Sequence, residues 1–234
     1  MSVGVFVFAS CLAMVPASSS GGEKEPEGRI LFDYRTNGPA APALSDLEQD
    51  RIVKAVTKAV VWDALDEKVW INSAVSGSFS KPKARETAYM LQPGGPRAME
   101  PQSMMETVVA VFSGQRLVAA AQTPGWNFIR HVEDVDHDGV DELLLDGSYL
   151  TFGVLMTSAR LVRLKGRDLS EVHEFGGVYE NGCGNESSME VRAGVLRYAG
   201  TGFRVDVYAA PCVKDGGDPK ADQYKYRPGE KITW

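Results

Sequence analysis

The residues best suited to metal chemistry lie in one short stretch near the middle of the chain, the acidic loop. Aspartates occupy its positions 1, 3 and 5, a glycine position 6 and a glutamate position 9 (Asp134, Asp136, Asp138, Gly139 and Glu142). A hard cation such as Ca²⁺ takes roughly six to eight oxygen ligands, and alternating aspartates can turn their carboxylates toward one centre. Glycine at position 6 permits the positive φ angle with which the chain would curl around the ion. The spacing therefore predicts a Ca²⁺ site, the alternative being an acidic, solvated turn without a metal.

The order of ligands along the acidic loop distinguishes among known calcium loops. An EF-hand places its bidentate carboxylate at position 12, where this sequence has Leu145, so an EF-hand is excluded. The carbonyl oxygen of Val140, at position 7, is the expected main-chain ligand. A loop that closes at position 9 and runs straight into an apolar strand resembles the calcium loops of FG-GAP and VCBS repeats, which form the blades of integrin-type β-propellers.

The resemblance to FG-GAP and VCBS repeats covers residues 70–180 and is specific at residues 134–145. It implies blade-like β-sheets and a Ca²⁺ ion bound by the four acidic side chains Asp134, Asp136, Asp138 and Glu142. Residues 69–212 contain two clear units and a degenerate third, whereas a closed ring usually needs about four blades or more. An incomplete propeller and a mixed sheet capped by a helix are therefore both open alternatives.

A second copy of the loop pattern occurs earlier in the chain. Ser78–Tyr89 aligns without a gap on Asp134–Leu145 at an offset of 56 residues, and Glu86 falls on Glu142. A repeat period near 50 residues is the size of one four-stranded propeller blade. The earlier copy has lost the other loop carboxylates, so we expect it to form the same structural corner without binding a metal.

The rest of the pattern predicts a mainly β (α+β) domain over residues 45–234, with one amphipathic helix. A capping box begins at Ser45, and apolar residues then recur at the helical period, which predicts a helix over residues 45–66. Apolar runs separated by turn residues predict antiparallel, blade-like hairpin repeats over about residues 70–125 and 126–180.

The positions of glycine and of apolar runs predict the individual strands and turns. Three hairpin turns are expected at glycines, namely Gly114, Gly166 and Gly194. A short edge strand is predicted at Ile30–Tyr34 and a further strand at Phe203–Ala210. The polar tail that begins at Lys214 is predicted to be surface loop.

Charge and composition restrict the classes of function. The formal net charge is −6, the isoelectric point is about 5.2 and no basic stripe occurs, which argues against binding to nucleic acid. No Gly-x-Ser-x-Gly nucleophile elbow is present, and the three histidines are dispersed (His131, His137 and His173). These features favour a binding or scaffold protein over an enzyme, and no catalytic residue is assigned.

The N-terminal segment 1–22 has no charged residue and is typical of an export signal. Its apolar run is shorter than the ~20 residues that a membrane-spanning helix needs, so no transmembrane helix is expected in the mature chain. One alternative is cleavage after the small-residue motif Val15-Pro16-Ala17. The other is a bacterial lipobox, Phe8-Ala9-Ser10-Cys11, with Cys11 lipidated and anchoring the protein to a membrane. Residues 23–44, rich in Gly, Pro and Glu, predict a linker.

Two cysteines, Cys183 and Cys212, remain once the export signal is set aside. In an exported protein they predict one disulfide within the C-terminal part of the domain, residues 181–234. Closing the loop between them would stabilise the fold by ~3–4 kcal/mol in the chain-entropy model. A pair of buried free thiols is the alternative.

These features together predict an exported calcium-binding β-repeat module that acts as a binding or scaffold protein toward a protein or glycan partner. We expect it to be secreted, periplasmic or lipid-anchored to the cell envelope. The alternative is a secreted or envelope hydrolase that uses calcium structurally. A pocket with a perturbed carboxylate or histidine outside residues 134–142 would favour the enzyme, and a flat exposed patch with aromatic side chains would favour the binding protein.

Overall fold

The computed structural model describes residues 27–36, 42–60, 69–93, 106–185, 189–200, 202–214 and 217–233. The predicted export signal, including Cys11, lies outside these residues, as do parts of the predicted linker. Within the described ranges, no helix has the length and apolar character needed to cross a membrane.

Two antiparallel sheets and one α-helix form the regular structure of the described residues. The small sheet has the order β2 (Val69–Gly77), β3 (Glu86–Pro93), β4 (Val108–Ser113) and β5 (Arg116–Gln122). The large sheet curls into a half-barrel and runs from β6 (Phe128–Val132) through β7 (Glu142–Thr151), β8 (Val154–Lys165), β9 (Asp168–Asn181), β10 (Glu190–Tyr198) and β11 (Phe203–Pro211) to β12 (Lys225–Tyr226). A further strand, β1 (Arg29–Asp33), pairs with β10. The prediction of a mainly antiparallel β fold with one helix is confirmed.

Each sheet contains a four-stranded meander in which neighbours in sequence are also neighbours in space. The small sheet is the meander β2-β3-β4-β5, and the large sheet contains β6-β7-β8-β9 before continuing into its C-terminal strands. The first two strands of each meander are joined by one copy of the loop pattern. Residues 78–85 connect β2 to β3, and residues 133–141 connect β6 to β7.

The helix α1 (Asp46–Thr57) begins at the predicted cap and packs on the small sheet. The Ser45 hydroxyl accepts a hydrogen bond from the Glu48 N–H at 3.3 Å, which satisfies one of the free donors at the helix start. The helix ends at Thr57, earlier than the predicted end at residue 66, and the next residues form a turn.

The three larger apolar clusters of the described residues hold these layers together. Helix α1 contributes the fully buried Ile52 and Val56 to the first cluster, against the small sheet. The second cluster lies between the two sheets (Phe79, Met90, Val109, Ile129, Leu143, Leu145 and Val162). The third covers the concave face of the large sheet (Val132, Leu144, Leu161, Val178, Val195 and Tyr208). Because side chains alternate along a strand, the three consecutive leucines of β7 serve both the second and the third clusters.

The hairpin predicted at Gly194 is wrong, because β10 passes through this residue without turning. A Cβ atom at Gly194 would lie 2.7 Å from Cγ1 of Val205 and 3.0 Å from the carbonyl oxygen of Val178. Glycine is therefore required here by the close approach of neighbouring strands and not by turn geometry. The predicted turns at Gly114 and Gly166 are present, with φ angles of 58° and 69°.

The C-terminal part is tied to the large sheet more closely than a surface loop would be. Tyr224 and Ile232 are buried, and Ile232 forms a β-bridge with Gly177. The prediction of loop structure is therefore wrong for this part of the tail. A disulfide joins Cys183 to Cys212, whose Cα atoms are 5.6 Å apart, so the predicted disulfide is confirmed.

Candidate functional site

The acidic loop between β6 and β7 folds its carboxylates back onto its own backbone. Asp134 accepts hydrogen bonds from the N–H groups of Asp138 at 3.1 Å and Gly139 at 2.7 Å. Asp138 in turn accepts one from the Val140 N–H at 2.8 Å. Positive φ angles at His137 (63°) and Gly139 (88°) produce the tight curl that makes these bonds possible.

This curl brings three of the predicted metal ligands together. One carboxylate oxygen from each of Asp134, Asp136 and Asp138 lies within 4.8 Å of the other two. Asp136 and Asp138 are exposed and Asp134 is half-buried, so the cluster opens to solvent. Among the residues that the structure describes, no other group of three acidic, histidine or cysteine side chains is close enough to share an ion. The all-oxygen donor set fits a hard cation such as Ca²⁺.

Glu142, predicted as the fourth side-chain ligand, lies outside this cluster. Its side chain is buried, and one of its oxygens accepts a hydrogen bond from the Val135 N–H at 2.9 Å. The other oxygen lies 2.9 Å from the guanidinium of Arg163. Burial raises the pKa of Glu142, although the Val135 hydrogen bond and the Arg163 charge act in the opposite direction. In this structure Glu142 anchors the end of the loop.

A guanidinium from β8 lies among the loop carboxylates. Arg163 is 2.5 Å from a carboxylate oxygen of Asp136 and 3.6 Å from one of Asp138, in addition to its contact with Glu142. The hydrogen bond from Arg163 holds the pKa of Asp136 below its ordinary value. The Arg163 charge thus lies among the loop carboxylates, and a bound cation would share two of its three aspartates with that charge.

The corner between β2 and β3, residues Ser78–Glu86, is anchored in the same way and is called the Ser78 corner below. Glu86 accepts hydrogen bonds from the N–H groups of Phe79 at 2.9 Å and Ser80 at 2.8 Å. The Phe79–Glu86 bond and the Val135–Glu142 bond both span seven residues and fall at matching positions of the two copies. Both corners therefore have a glutamate at the same position that binds the backbone at the loop start, and the additional aspartates are confined to the acidic loop.

The two corners also contact each other. The Asp141 carboxylate accepts a hydrogen bond from the Ser78 N–H at 2.7 Å, and the Asp141 N–H donates to the Ser78 carbonyl at 3.0 Å. The same carboxylate lies 3.2 Å from Nε2 of His131. Burial acts to raise the pKa of Asp141, but the hydrogen bonds from Ser78 and His131 outweigh it and hold this pKa below its ordinary value. Asp141 thereby links the two sheets at their corners.

A second group of polar side chains, which the sequence analysis missed, lies toward the other end of β6 and β7. Asp146 is almost fully buried and accepts hydrogen bonds from the Tyr34 hydroxyl and from Nε of Arg130. The Arg130 guanidinium lies over the rings of Phe32 and Tyr34, at 4.4 Å and 5.4 Å from their centroids. Burial raises the pKa of Asp146, and the Arg130 charge opposes this effect.

Asp146, Arg130 and Tyr34 line a cavity of about 270 Å³ on the concave face of the large sheet, called the concave-face cavity below. The hydroxyls of Ser148 and Thr157 are hydrogen-bonded to each other at 2.8 Å, and the Tyr179 hydroxyl donates to Asp218 at 2.6 Å. Burial and the Asp218 charge raise the pKa of Tyr224 to about 12. All five side chains face the cavity.

The sequence signal for this cavity is a charge inside an apolar strand. Asp146 follows the apolar run Leu143–Leu145 directly, and a carboxylate in such a run is expected to be buried and therefore paired. Its partner Arg130 lies in β6, and its partner Tyr34 directly follows β1. The pairing of β6 with β7 and of β1 with β10 brings these two side chains to Asp146. The sequence thus signals the position of a polar site but not its composition.

The acidic loop and the concave-face cavity are the two candidate sites of this domain. The first is a carboxylate cluster open to solvent, and the second is a cavity with a buried ion pair. Comparison of the chain with known protein families, with curated proteins and with solved structures finds no match.

Proposed function

We propose that this protein is an exported, calcium-binding β-repeat module that acts as a binding or scaffold protein at the cell envelope. The observation that carries the calcium part is the grouping of Asp134, Asp136 and Asp138, whose carboxylate oxygens lie within 4.8 Å of one another. The ion would take its ligands from these three carboxylates and from the carbonyl of Val140, and water would complete the set.

Relief of charge repulsion is the physical reason for the ion to bind here. Two unit charges 4 Å apart repel by ~1 kcal/mol in water and by ~4 kcal/mol at an effective dielectric of 20. Two of the three aspartates are exposed, so the lower figure applies and the affinity is modest. We expect a dissociation constant on the order of 10⁻⁴–10⁻³ M, as in extracellular calcium modules. At a hundredfold excess over that constant the folded state would gain ~2.7 kcal/mol.

Calcium titration with a thermal-melting readout tests this proposal. The melting temperature of the wild-type protein should rise with calcium, and Asp138→Asn should remove that rise because it removes one ligand charge. Asp168→Asn is the matched control, since Asp168 is an exposed carboxylate at the first residue of β9. Equal melting temperatures for the wild-type protein in excess calcium and in chelator would show that the loop is only an acidic turn.

A hydrolase that uses calcium structurally is the second candidate, and one observation favours it. Asp146, a carboxylate with a raised pKa, lines a cavity outside the acidic loop, and perturbed pKa values cluster at catalytic sites. However, both of its oxygens already accept hydrogen bonds, from Tyr34 and Arg130, whereas a nucleophile or base needs a free oxygen. The binding role therefore ranks first.

Product analysis separates the two functions. Glycan and peptide substrates are incubated with the wild-type protein and with Asp146→Asn, and the products are identified by mass spectrometry. Cleavage by the wild-type protein that is lost in the variant would favour the hydrolase. Intact substrates in both samples would support the binding role.

A further inference from the structure

The concave-face cavity is built on four adjacent strands whose polar side chains are in register. Ser148 of β7 lies opposite Thr157 of β8, which lies opposite Tyr179 of β9. Two residues earlier on β7, Asp146 lies opposite Phe128 of β6. Because residues two apart on a strand share a face, these side chains form one continuous surface. A surface on paired strands holds its groups in fixed relative positions better than a loop does.

Both arginines of the cavity are already paired with carboxylates of the protein. Arg130 pairs with Asp146, and Arg35 forms a salt bridge with Asp33 at 2.7 Å. Asp218 accepts hydrogen bonds from two uncharged side chains. With Asp33 included, the two arginines face three aspartates, so one negative charge remains in excess, at Asp218. An anionic ligand would be repelled by Asp218 or would have to displace a carboxylate partner of Arg130 or Arg35, and both outcomes oppose binding. A cation could pair with Asp218, but the guanidinium groups of Arg130 and Arg35 line the same cavity and would repel it.

Neutral hydrogen-bonding capacity remains in the cavity. The Arg130 guanidinium has five N–H donors, and its interactions with Asp146 and Tyr34 use only some of them. The hydroxyls of Ser148 and Thr157 share one hydrogen bond, so each keeps unused donor or acceptor sites. Apolar surface lies beside these groups (Phe128, Leu155 and Tyr179). Donors and acceptors next to aromatic rings match a sugar ring, whose hydroxyls bond at its rim and whose C–H faces pack on aromatic side chains.

We infer that the concave-face cavity binds one neutral hexose ring. Its volume of about 270 Å³ lies just below the ~300 Å³ at which small-ligand pockets begin, so it suits a single ring. In this assignment Arg130 donates to the sugar hydroxyls, Asp218 accepts from them and the Tyr179 ring packs on the sugar face. The inference rests on the proposed binding role and names its ligand. It does not depend on calcium, because the acidic loop joins the opposite ends of β6 and β7.

A titration of the isotope-labelled full chain followed by NMR tests this inference. The probes are the methyl glycosides of glucose, galactose and mannose at millimolar concentration, with glucuronate, glucosamine and glycine as charged comparators. We expect saturable shifts at the amides of cavity residues, and at least one neutral glycoside should bind about tenfold more tightly than every comparator. Tighter binding of a charged comparator, or no saturable shift with any neutral glycoside, would overturn the inference.

Two conservative variants locate the binding site. Asp218→Asn removes an acceptor charge at an exposed position, and Tyr179→Phe removes one hydroxyl but keeps the ring. Asp218→Asn should weaken glycoside binding by about tenfold, as expected for the loss of one hydrogen bond to a charged partner. Tyr179→Phe should also weaken it, because Asp218 loses the hydroxyl that holds its carboxylate in place. Asp168→Asn, far along the β8–β9 hairpin, should leave the binding unchanged. Glycoside affinity that is the same in all three variants and in the wild-type protein would place the sugar elsewhere and refute the assignment.

The same titrations in excess calcium and in chelator distinguish this inference from the calcium proposal. Sugar binding in both conditions, without any calcium-dependent rise in melting temperature, would support the cavity and refute the calcium site. A calcium-dependent rise without saturable sugar binding would refute the cavity assignment and leave the calcium site standing.

Discussion

Replacing Arg163 with glutamine is expected to strengthen calcium binding at the acidic loop. The Arg163 guanidinium lies 2.5 Å from Asp136 and 3.6 Å from Asp138, two of the three aspartates that the ion would use. It also lies 2.9 Å from the buried Glu142. Glutamine retains a polar side chain that can donate one hydrogen bond but carries no charge. The substitution therefore removes the internal competitor of the cation.

The size of the effect follows from the geometry and exposure of these groups. A divalent ion about 5 Å from a guanidinium is repelled by ~1.7 kcal/mol at the dielectric of water. The side chains of Arg163, Asp136 and Asp138 are between 30% and 47% exposed, so the value for water is the appropriate one. Since ~1.4 kcal/mol is a factor of ten, the calcium dissociation constant should fall about tenfold. Without calcium the variant should be less stable than the wild-type protein, because Glu142 loses its buried partner.

Calorimetric titration of calcium and melting in chelator measure these two effects separately. Arg167→Gln is the matched control, because Arg167 is an exposed arginine in the β8–β9 turn, and it should change neither quantity. Weaker calcium binding by Arg163→Gln would mean that the guanidinium orients the ligands and does not compete with the ion. If neither the wild-type protein nor the variant binds calcium, the loop is a salt-bridged corner and the metal proposal fails.

Three further predictions concern the Ser78 corner, the buried carboxylate and export. Glu86→Ala should lower the free energy of unfolding in urea by ~1–3 kcal/mol, because the buried N–H of Phe79 loses its acceptor. The variant should keep the calcium-dependent rise in melting temperature, and loss of that rise would contradict the separate roles of the corners. Burial raises the folded-state pKa of Asp146, so its contribution to stability is fully present below its ordinary pKa of about 3.9 and is lost as pH rises through the raised value. Asp146→Asn should therefore reduce the pH dependence of the free energy of unfolding over that pH window. An unchanged pH dependence in the variant would disprove the raised pKa of Asp146. Mass spectrometry of protein from its native host should find a mature chain that begins at a lipidated Cys11 or near Ser18, whereas an intact Met1 would rule out export.

Local signals explain why the acidic loop and most strands are predictable from the sequence. The three clustered aspartates lie within five residues of one another, so their spacing alone brings them together. The fourth predicted ligand differs because its environment depends on a distant residue. Glu142 is paired with Arg163, which is 21 residues away and reaches it only through the pairing of β7 with β8. No pattern within the loop indicates that arginine.

Long-range packing explains what the sequence did not show. Glycine is equally compatible with a turn and with a close approach of strands. At Gly194 the close approach is the reason, because a side chain there would clash with Val205 and Val178. The concave-face cavity depends on a hydrogen bond between Tyr34 and Asp146, which are 112 residues apart. Such pairs are set by the order of strands in the sheet, which local periodicity does not specify.

The shared design of the two corners determines how strongly the fold depends on an ion. Glu86 anchors the Ser78 corner and Glu142 anchors the acidic loop through equivalent hydrogen bonds to the backbone, and Asp141 ties the corners together. Hydrogen bonds to charged groups contribute ~1.5–3 kcal/mol each, so one or two of these anchors match the ~2.7 kcal/mol that calcium adds at a hundredfold excess. Arg163 already neutralises part of the loop charge in the absence of the ion. Calcium should therefore shift the melting temperature of a domain that is folded without it, and should not act as a switch between unfolded and folded states.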